Sequence, residues 1–181
     1  TCILLLDKAK GSTSNAALQE VKRLFSAGKV GHTGSLDPLA TGILPLCFGE
    51  ATKFSQFLLD ANKRYLATFQ LGVATDTGDA DGEVIAQHPV GNISRKKITA
   101  LLSEFSGEIQ QIPSMYSALK HKGKPLYKLA RQGIEVERKA RTVTIMEMDL
   151  VDLKEDRYVL NILCSKGTYV RTVVHDLGQQ L

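Results

Sequence analysis

The stretch Gly31-His32-Thr33-Gly34-Ser35-Leu36-Asp37-Pro38-Leu39-Ala40-Thr41-Gly42 decides how the rest of the chain is read. Its glycines permit tight or left-handed backbone. Pro38 offers no N–H and turns Asp37 away from the helical region. The segment therefore reads as a rigid, irregular loop with one carboxylate at its centre, flanked by His32, Thr33, Ser35 and Thr41. Two readings of Asp37 follow from the residues alone. An aspartate before proline commonly starts a turn by bonding its own backbone, which is the simpler account of an isolated Asp-Pro. An acidic side chain on a firm loop is also the kind of group that carries chemistry.

The loop is held between a helix and a strand. Cys2-Ile3-Leu4-Leu5-Leu6 is a short apolar run ending in Asp7-Lys8 and reads as a buried strand feeding a loop. Ser12, Thr13, Ser14 and Asn15 supply N-cap chemistry for a helix carrying Ala17, Leu18, Val21, Leu24 and Phe25, expected to run until Gly28. Beyond the loop, Ile43 to Phe48 makes a strand whose Pro45 points to an edge or irregular pairing. Glu50 to Leu59 predicts a further short helix with Ala51, Phe54, Phe57 and Leu58 on one face.

Lys63 to Leu71 alternates as a strand, with Tyr65, Ala67, Phe69 and Leu71 on one side. The acidic run Asp76-Thr77-Gly78-Asp79-Ala80-Asp81-Gly82-Glu83 invites a calcium-loop reading, which fails. Aligning Gly82 with the glycine of an EF-hand loop puts Thr77 at the first ligand position and His88 where a bidentate glutamate is required. A solvated hairpin turn accounts for it better. Ser94 caps a helix through Ile98, Leu101, Leu102 and Phe105 that stops at Gly107. Val143 to Val151 and Tyr158 to Cys164 predict a hairpin around a charged turn at Lys154-Glu155-Asp156. A last helix runs through Val174 and Leu177, with Arg171 near its start. An arginine among valines needs a carboxylate partner if buried.

One stretch is strongly basic. Lys120, Lys122, Lys124, Lys128, Arg131, Arg138, Lys139 and Arg141 are opposed only by Glu135 and Glu137, with Tyr116 and Tyr127 interleaved. It reads equally as a mobile arm meeting a phosphate backbone or as a solvated basic loop with a short helix.

Composition bounds the class. A chain of 181 residues suits one domain with a substantial core. The net charge of +4 hints at a polyanionic partner because its cations are clustered. Cys2, Cys47 and Cys164 sit in apolar runs without metal-ligand spacing, which fits reduced, buried thiols and predicts neither disulfide nor zinc. No apolar run approaches the ~20 residues that span a bilayer, and no signal peptide is evident. The expectation is a cytoplasmic protein. Short helices and strands without strict alternation predict an α+β fold with a mixed, largely antiparallel sheet flanked by helices.

The Gly31–Gly42 stretch closely resembles the catalytic motif of the TruB family of tRNA pseudouridine synthases, which make pseudouridine at tRNA position 55. Leu6-Asp7-Lys8 with Gly11-Ser12-Thr13-Ser14 resembles that family's N-terminal motif, and Lys63-Arg64-Tyr65 its tyrosine motif. Ile112 to Lys120 and Ser165-Lys166-Gly167-Thr168-Tyr169-Val170-Arg171 complete a set in the expected order. Ala9 and Ser35 depart from the proline and alanine common in the family, and neither departure removes a reactive group.

The resemblance implies a pseudouridine-synthase fold, with residues 1–181 as a catalytic domain incomplete at its C-terminus and lacking the usual small RNA-binding domain. It implies Asp37 as the catalytic aspartate, Tyr65 packing on the target base, and Arg171 pairing with Asp37. His32 and Tyr169 become substrate contacts. Residues 113–141 become an RNA-gripping insertion, with Lys120, Lys122, Lys124, Lys128 and Arg131 on the RNA backbone. The implied partner is the T-arm stem-loop of tRNA, bound by a monomer, with no cofactor, metal or membrane. Two other readings compete: a non-catalytic tRNA-binding module, and a hydrolase pairing Asp37 with an acid of the Asp76–Glu83 turn.

Overall fold

The structure is a computed structural model describing residues 1–154 and 157–181. The chain forms two compact units, residues 1–61 and 62–181. In the first, β1 (Cys2–Lys8), α1 (Ser14–Leu24), β2 (Val30–His32) and β3 (Gly42–Phe48) precede a 3-10 helix at Gly49–Phe54 and a short helix α2 (Ser55–Asp60). β3 is the middle strand of an antiparallel sheet ordered β1-β3-β2, which corrects the edge position expected from Pro45. The reason lies in which way Pro45 faces. The Thr33 N–H donates to the Pro45 carbonyl at 3.1 Å, so the backbone polar groups of Pro45 point toward β2. The β2 ladder ends at the His32–Leu46 pair, and the missing N–H falls beyond it. The β1 ladder, where Leu5 faces Pro45, loses nothing.

Thr13 caps α1, its hydroxyl accepting from the Ala16 N–H, and Ala17, Leu18 and Val21 pack on Leu44, Leu46 and Phe48. The helix ends at Leu24, short of the expected Gly28. Ser26 takes the left-handed conformation (φ 47°), its N–H bonds the Arg23 carbonyl, and the Ala27 N–H bonds the Lys22 carbonyl. This is the Schellman closure of a helix. Leu24 and Phe25, expected on the buried face, are exposed. The stripe expected over Glu50 to Leu59 also breaks up, with Ala51 buried but Phe54 and Phe57 exposed and stacked on each other at 6.4 Å. A 3-10 helix turns every three residues and cannot keep an α-helical stripe in line. Cys47 is fully buried as expected, whereas Cys2, at the start of β1, is exposed.

The second unit contains β4 (Lys63–Gln70), β5 (Val73–Thr75), β6 (Val84–Gln87), α3 (Arg95–Glu104) and β7 (Gly107–Gln111). It continues with β8 (Lys120–His121), β9 (Lys124–Pro125), α4 (Leu126–Ala130), β10 (Arg141–Lys154), β11 (Arg157–Cys164) and α5 (Val170–Gln180). The main sheet runs β4-β11-β10-β7, and every ladder among the described residues is antiparallel, which makes the fold α+β. β4 shows the expected alternation, Tyr65, Ala67 and Phe69 turning inward and Leu66 outward. Leu160 and Ile162 of β11 are fully buried against Ile98 and Leu102 of α3 and Val173 and Leu177 of α5. Each such side chain contributes about 1.5–3 kcal/mol of burial, so the two helices are held where they cross the sheet. β10 and β11 form the expected hairpin, while Glu155 and Asp156 of its expected charged turn lie outside the described residues. Among the described residues no helix is long and apolar enough to cross a membrane.

Candidate active site

In the first unit the Gly31–Gly42 loop is clasped by the segment that follows β1. Lys8, only 1% exposed, donates to the carbonyls of Ala9 (2.9 Å), Ser12 (2.7 Å) and Pro38 (3.4 Å). These three acceptors match the three donors of an ammonium, which is how a cation can be buried here. Burial pulls the Lys8 ammonium below the usual lysine range, and the Asp37 carboxylate acts against that pull. The Gly11 N–H donates to the same Pro38 carbonyl (2.8 Å). Ser14 closes the other side, its hydroxyl accepting from the Leu36 N–H (2.8 Å) and donating to the Leu36 carbonyl (3.2 Å). The Ala40 N–H bonds the Asp37 carbonyl (3.0 Å), so the Asp-Pro does form a turn.

The backbone on both sides of Asp37 is therefore fixed while the residue itself is exposed. His32 and Asp37 lie on this one loop. His32 Nδ1 and Thr33 Oγ1 are buried atoms with no hydrogen-bond partner among the described residues. Neither Lys8 nor Ser14 is singled out as a site residue by sequence reasoning, because a lysine closing an apolar run and a serine in a capping segment have ordinary explanations.

In the second unit Tyr169 and Arg171 lie at the start of α5, which packs against β4, the strand that carries Tyr65. Tyr65 lies partly buried against the cluster that holds Val173 and Leu177. Tyr169 is the residue before α5, and Gln111, 1% exposed, grips its backbone from both sides. The Gln111 amide donates to the Tyr169 carbonyl (3.1 Å) and accepts from the Tyr169 N–H (2.8 Å). Arg171 reaches the turn between β5 and β6. It donates from Nη1 to the Thr77 carbonyl (2.7 Å) and from Nη2 to the Tyr116 carbonyl (2.9 Å), and it stands 3.4 Å from Asp79 Oδ2.

The turn is thus less solvated than expected. Asp79 is largely buried and accepts from Thr77 Oγ1 (2.7 Å), while Asp76 accepts from the N–H groups of Thr77 and Glu83 (2.8 Å each). Asp79 thus holds the turn and Arg171, while Asp76 holds the turn and the Tyr116 phenol. Beside them a cleft of about 480 Å³ is lined by Thr77, Arg138, Arg171, His175 and Asp176 among others. Gln111 carries no sequence signal, and Asp79 and Tyr116 read from the sequence only as parts of an acidic turn and a basic stretch.

The basic residues gather on small elements. Lys120 and Lys124 sit on the β8–β9 hairpin, with Lys122 in its turn at φ 48° followed by Gly123 at φ 82°. Lys128 is on α4, and Arg131 caps it with its guanidinium 5.6 Å from the centre of the Tyr127 ring. Lys120, Lys122, Lys124 and Lys128 are exposed. Arg138 is used internally, bonding Glu135 and the Pro113 carbonyl.

The sequence and the fold have counterparts among known proteins. The family profile described as TruB family pseudouridylate synthase (N terminal domain) matches residues 22–170. A tRNA pseudouridine synthase B of Ectopseudomonas mendocina is 64% identical over 179 residues, covering 99% of this chain and 58% of the relative. One from Shewanella woodyi is 59% identical, covering 99% and 56%. The chain spans little more than half the length of these curated relatives. Among solved structures, a Cbf5-Nop10-Gar1 complex superposes with a TM-score of 0.74 at 27% identity, over 99% of this chain and 44% of the other. An H/ACA RNP bound to a substrate RNA containing 2′-deoxyuridine gives 0.71 at 25% identity, over 99% and 42%. With its loop and tyrosine motifs inside the matched residues, the chain belongs to the TruB family of pseudouridylate synthases.

Proposed function

We propose that this chain carries the catalytic residues of an enzyme that isomerises uridine to pseudouridine at position 55 in the T-loop of tRNA, acting as a cytoplasmic monomer on the T-arm stem-loop. The observation that carries the proposal is the Asp37 loop. Lys8 and Ser14 clamp its backbone on either side of an exposed carboxylate, in a chain of a pseudouridylate synthase family.

The reaction breaks the bond from N1 to the ribose, turns the uracil, joins it through C5, returns a proton to N1 and removes one from C5. No oxidant or energy source enters the balance, and no cofactor is required. Asp37 acts as the carboxylate anion, at the sugar or at the base. In this proposal Arg171 supports that ionised form, because a guanidinium beside a carboxylate favours its charge and fixes its orientation. Tyr65 stacks on the flipped base, which offsets ~1–3 kcal/mol of the unstacking cost. His32 and Tyr169 contact the distorted loop. Lys120, Lys122, Lys124, Lys128 and Arg131 meet backbone phosphates, which position the RNA without reading its sequence.

The test is tritium release from C5-labelled uridine in a T-arm stem-loop. Release by the wild-type protein, abolished in Asp37→Asn with RNA binding retained, is the expected result. Absence of release from the wild type sinks the enzymatic reading and favours a binding module. Full turnover in Asp37→Asn sinks the role of Asp37.

A further inference from the structure

Arg171 is supported from two sides that belong to different parts of the second unit. One is the β5–β6 turn, through the Thr77 carbonyl and Asp79. The other is the root of the basic arm, through the Tyr116 carbonyl. The same two parts are joined directly, because the Tyr116 phenol donates to Asp76 Oδ2 at 3.0 Å. Asp76 uses its other oxygen to close the turn, accepting from the Thr77 and Glu83 N–H groups. Ser114 Oγ accepts from the Tyr116 N–H (3.1 Å) and fixes the backbone whose carbonyl Arg171 meets. Asp76, Thr77, Tyr116 and Arg171 thus form a closed ring of contacts, and the phenol-to-carboxylate bond is its one link made wholly by side chains. The bond to Asp76, with burial, pushes the Tyr116 phenol above the usual tyrosine range, so it remains a donor through neutral pH.

We propose that Tyr116 is a positioning residue which, through its bond to Asp76, couples the seating of the basic arm to the orientation of Arg171. This rests on the reading of Arg171 as part of the catalytic set. The guanidinium is a planar fork whose donors keep fixed directions, so it can serve both supports only while turn and arm root hold their spacing. The phenol sets that spacing. When phosphates engage the exposed lysines beyond the root, the arm's position is transmitted to Arg171 through this link. A misplacement of ~1 Å in a catalytic group can cost on the order of a hundredfold in rate, so loss of one link of this ring is expected to be visible in turnover.

The experiment compares Tyr116→Phe, Asp76→Asn and the double variant with wild type, using the C5-labelled T-arm stem-loop. At saturating RNA the single-turnover rate is expected to fall about tenfold in each single variant and no further in the double. RNA affinity should stay within about twofold of wild type, because the arm lysines are untouched. Independently of turnover, the ¹⁵N guanidinium resonances of Arg171, assigned by their loss in Arg171→Lys, should shift in both single variants. Unshifted Arg171 resonances, unchanged rates or additive losses overturn the proposal. Weakened RNA binding at an unchanged rate also overturns it, and makes Tyr116 an RNA contact instead. If the wild type releases no tritium, the functional reading falls, and the Arg171 resonances still decide whether Tyr116 positions it.

Discussion

Arg171 Nη1 stands 3.4 Å from Asp79 Oδ2, with the two side chains only 16% and 15% exposed. A pair this sheltered does little net work while intact and much harm when halved, because the surviving charge has lost its partner without regaining water. Asp79 also accepts from Thr77 Oγ1 and the Asp81 N–H, so it organises the turn as well as the arginine. Asp79→Ala is expected to lower stability by about 2–4 kcal/mol in urea titration. Asp79→Asn, which keeps a carbonyl oxygen for those donors, should cost less. Equal losses in the two variants would show that the charge pairing with Arg171, and not the acceptor oxygen for the turn, is what Asp79 supplies.

The Lys8 clasp gives a second expectation. Lys8→Met keeps most of the side-chain stem but deletes all three bonds to Ala9, Ser12 and Pro38, at about 1 kcal/mol each net of the relieved cost of burying the charge. The melting temperature should fall. Lys8→Arg should not restore it, since the site leaves its residue 1% exposed and offers three converging carbonyls rather than a planar acceptor pair. A Lys8→Arg variant as stable as wild type would show that the site has room the packing does not suggest.

What was legible in the sequence was whatever depends on near neighbours. The alternation of Tyr65, Ala67 and Phe69 reads correctly because one face of β4 is buried, and period two then fixes each side chain's side. The capping stretch before α1 reads correctly because the cap that forms, Thr13, finds its partner Ala16 only three residues on. Pro45 misleads because tolerance of proline depends on which neighbouring strand its absent N–H faces, and that is set by register with β2. The site divides the same way. The Gly31–Gly42 loop announces itself by glycine, proline and aspartate, whereas its Lys8 clasp and the Asp79 partner of Arg171 join positions far apart in the chain. No local pattern encodes such a pairing: the valines around Arg171 say that it needs a carboxylate, and nothing near it says which.

Asp176 links the cleft to pH. Burial raises its carboxyl above the usual aspartate value of 3.8, against the opposing pull of His175. For a carboxyl raised on folding, the native state binds the proton more tightly than the unfolded chain. Its contribution to stability is fully present below pH 3.8 and is lost as pH rises through the folded value. At neutral pH the ionised group is a net cost. Asp176→Asn is therefore expected to stabilise the protein at pH 7, with the gain disappearing below pH 3.8, as followed by urea titration at the two ends. A gain that persists unchanged in acid would assign the effect to packing instead of ionisation.

The ends of α1 and α4, both closed by the Schellman pattern, make a controlled comparison. After α4 the left-handed position is filled by Gly133 (φ 70°), with the Ile134 N–H bonding the Leu129 carbonyl. After α1 the same position is filled by Ser26 (φ 47°), whose Cβ is crowded there. A left-handed residue with a side chain costs roughly 1–2 kcal/mol, and the greater freedom of an unfolded glycine returns part of any gain from removing it. Ser26→Gly is thus expected to stabilise by about 0.5–1 kcal/mol, while Gly133→Ser destabilises by a similar amount or more. The loop that carries Asp37 begins just after this closure, so a tighter α1 end should leave tritium release unchanged while slowing unfolding. A Ser26→Gly variant less stable than wild type would show that the serine makes up its backbone strain elsewhere.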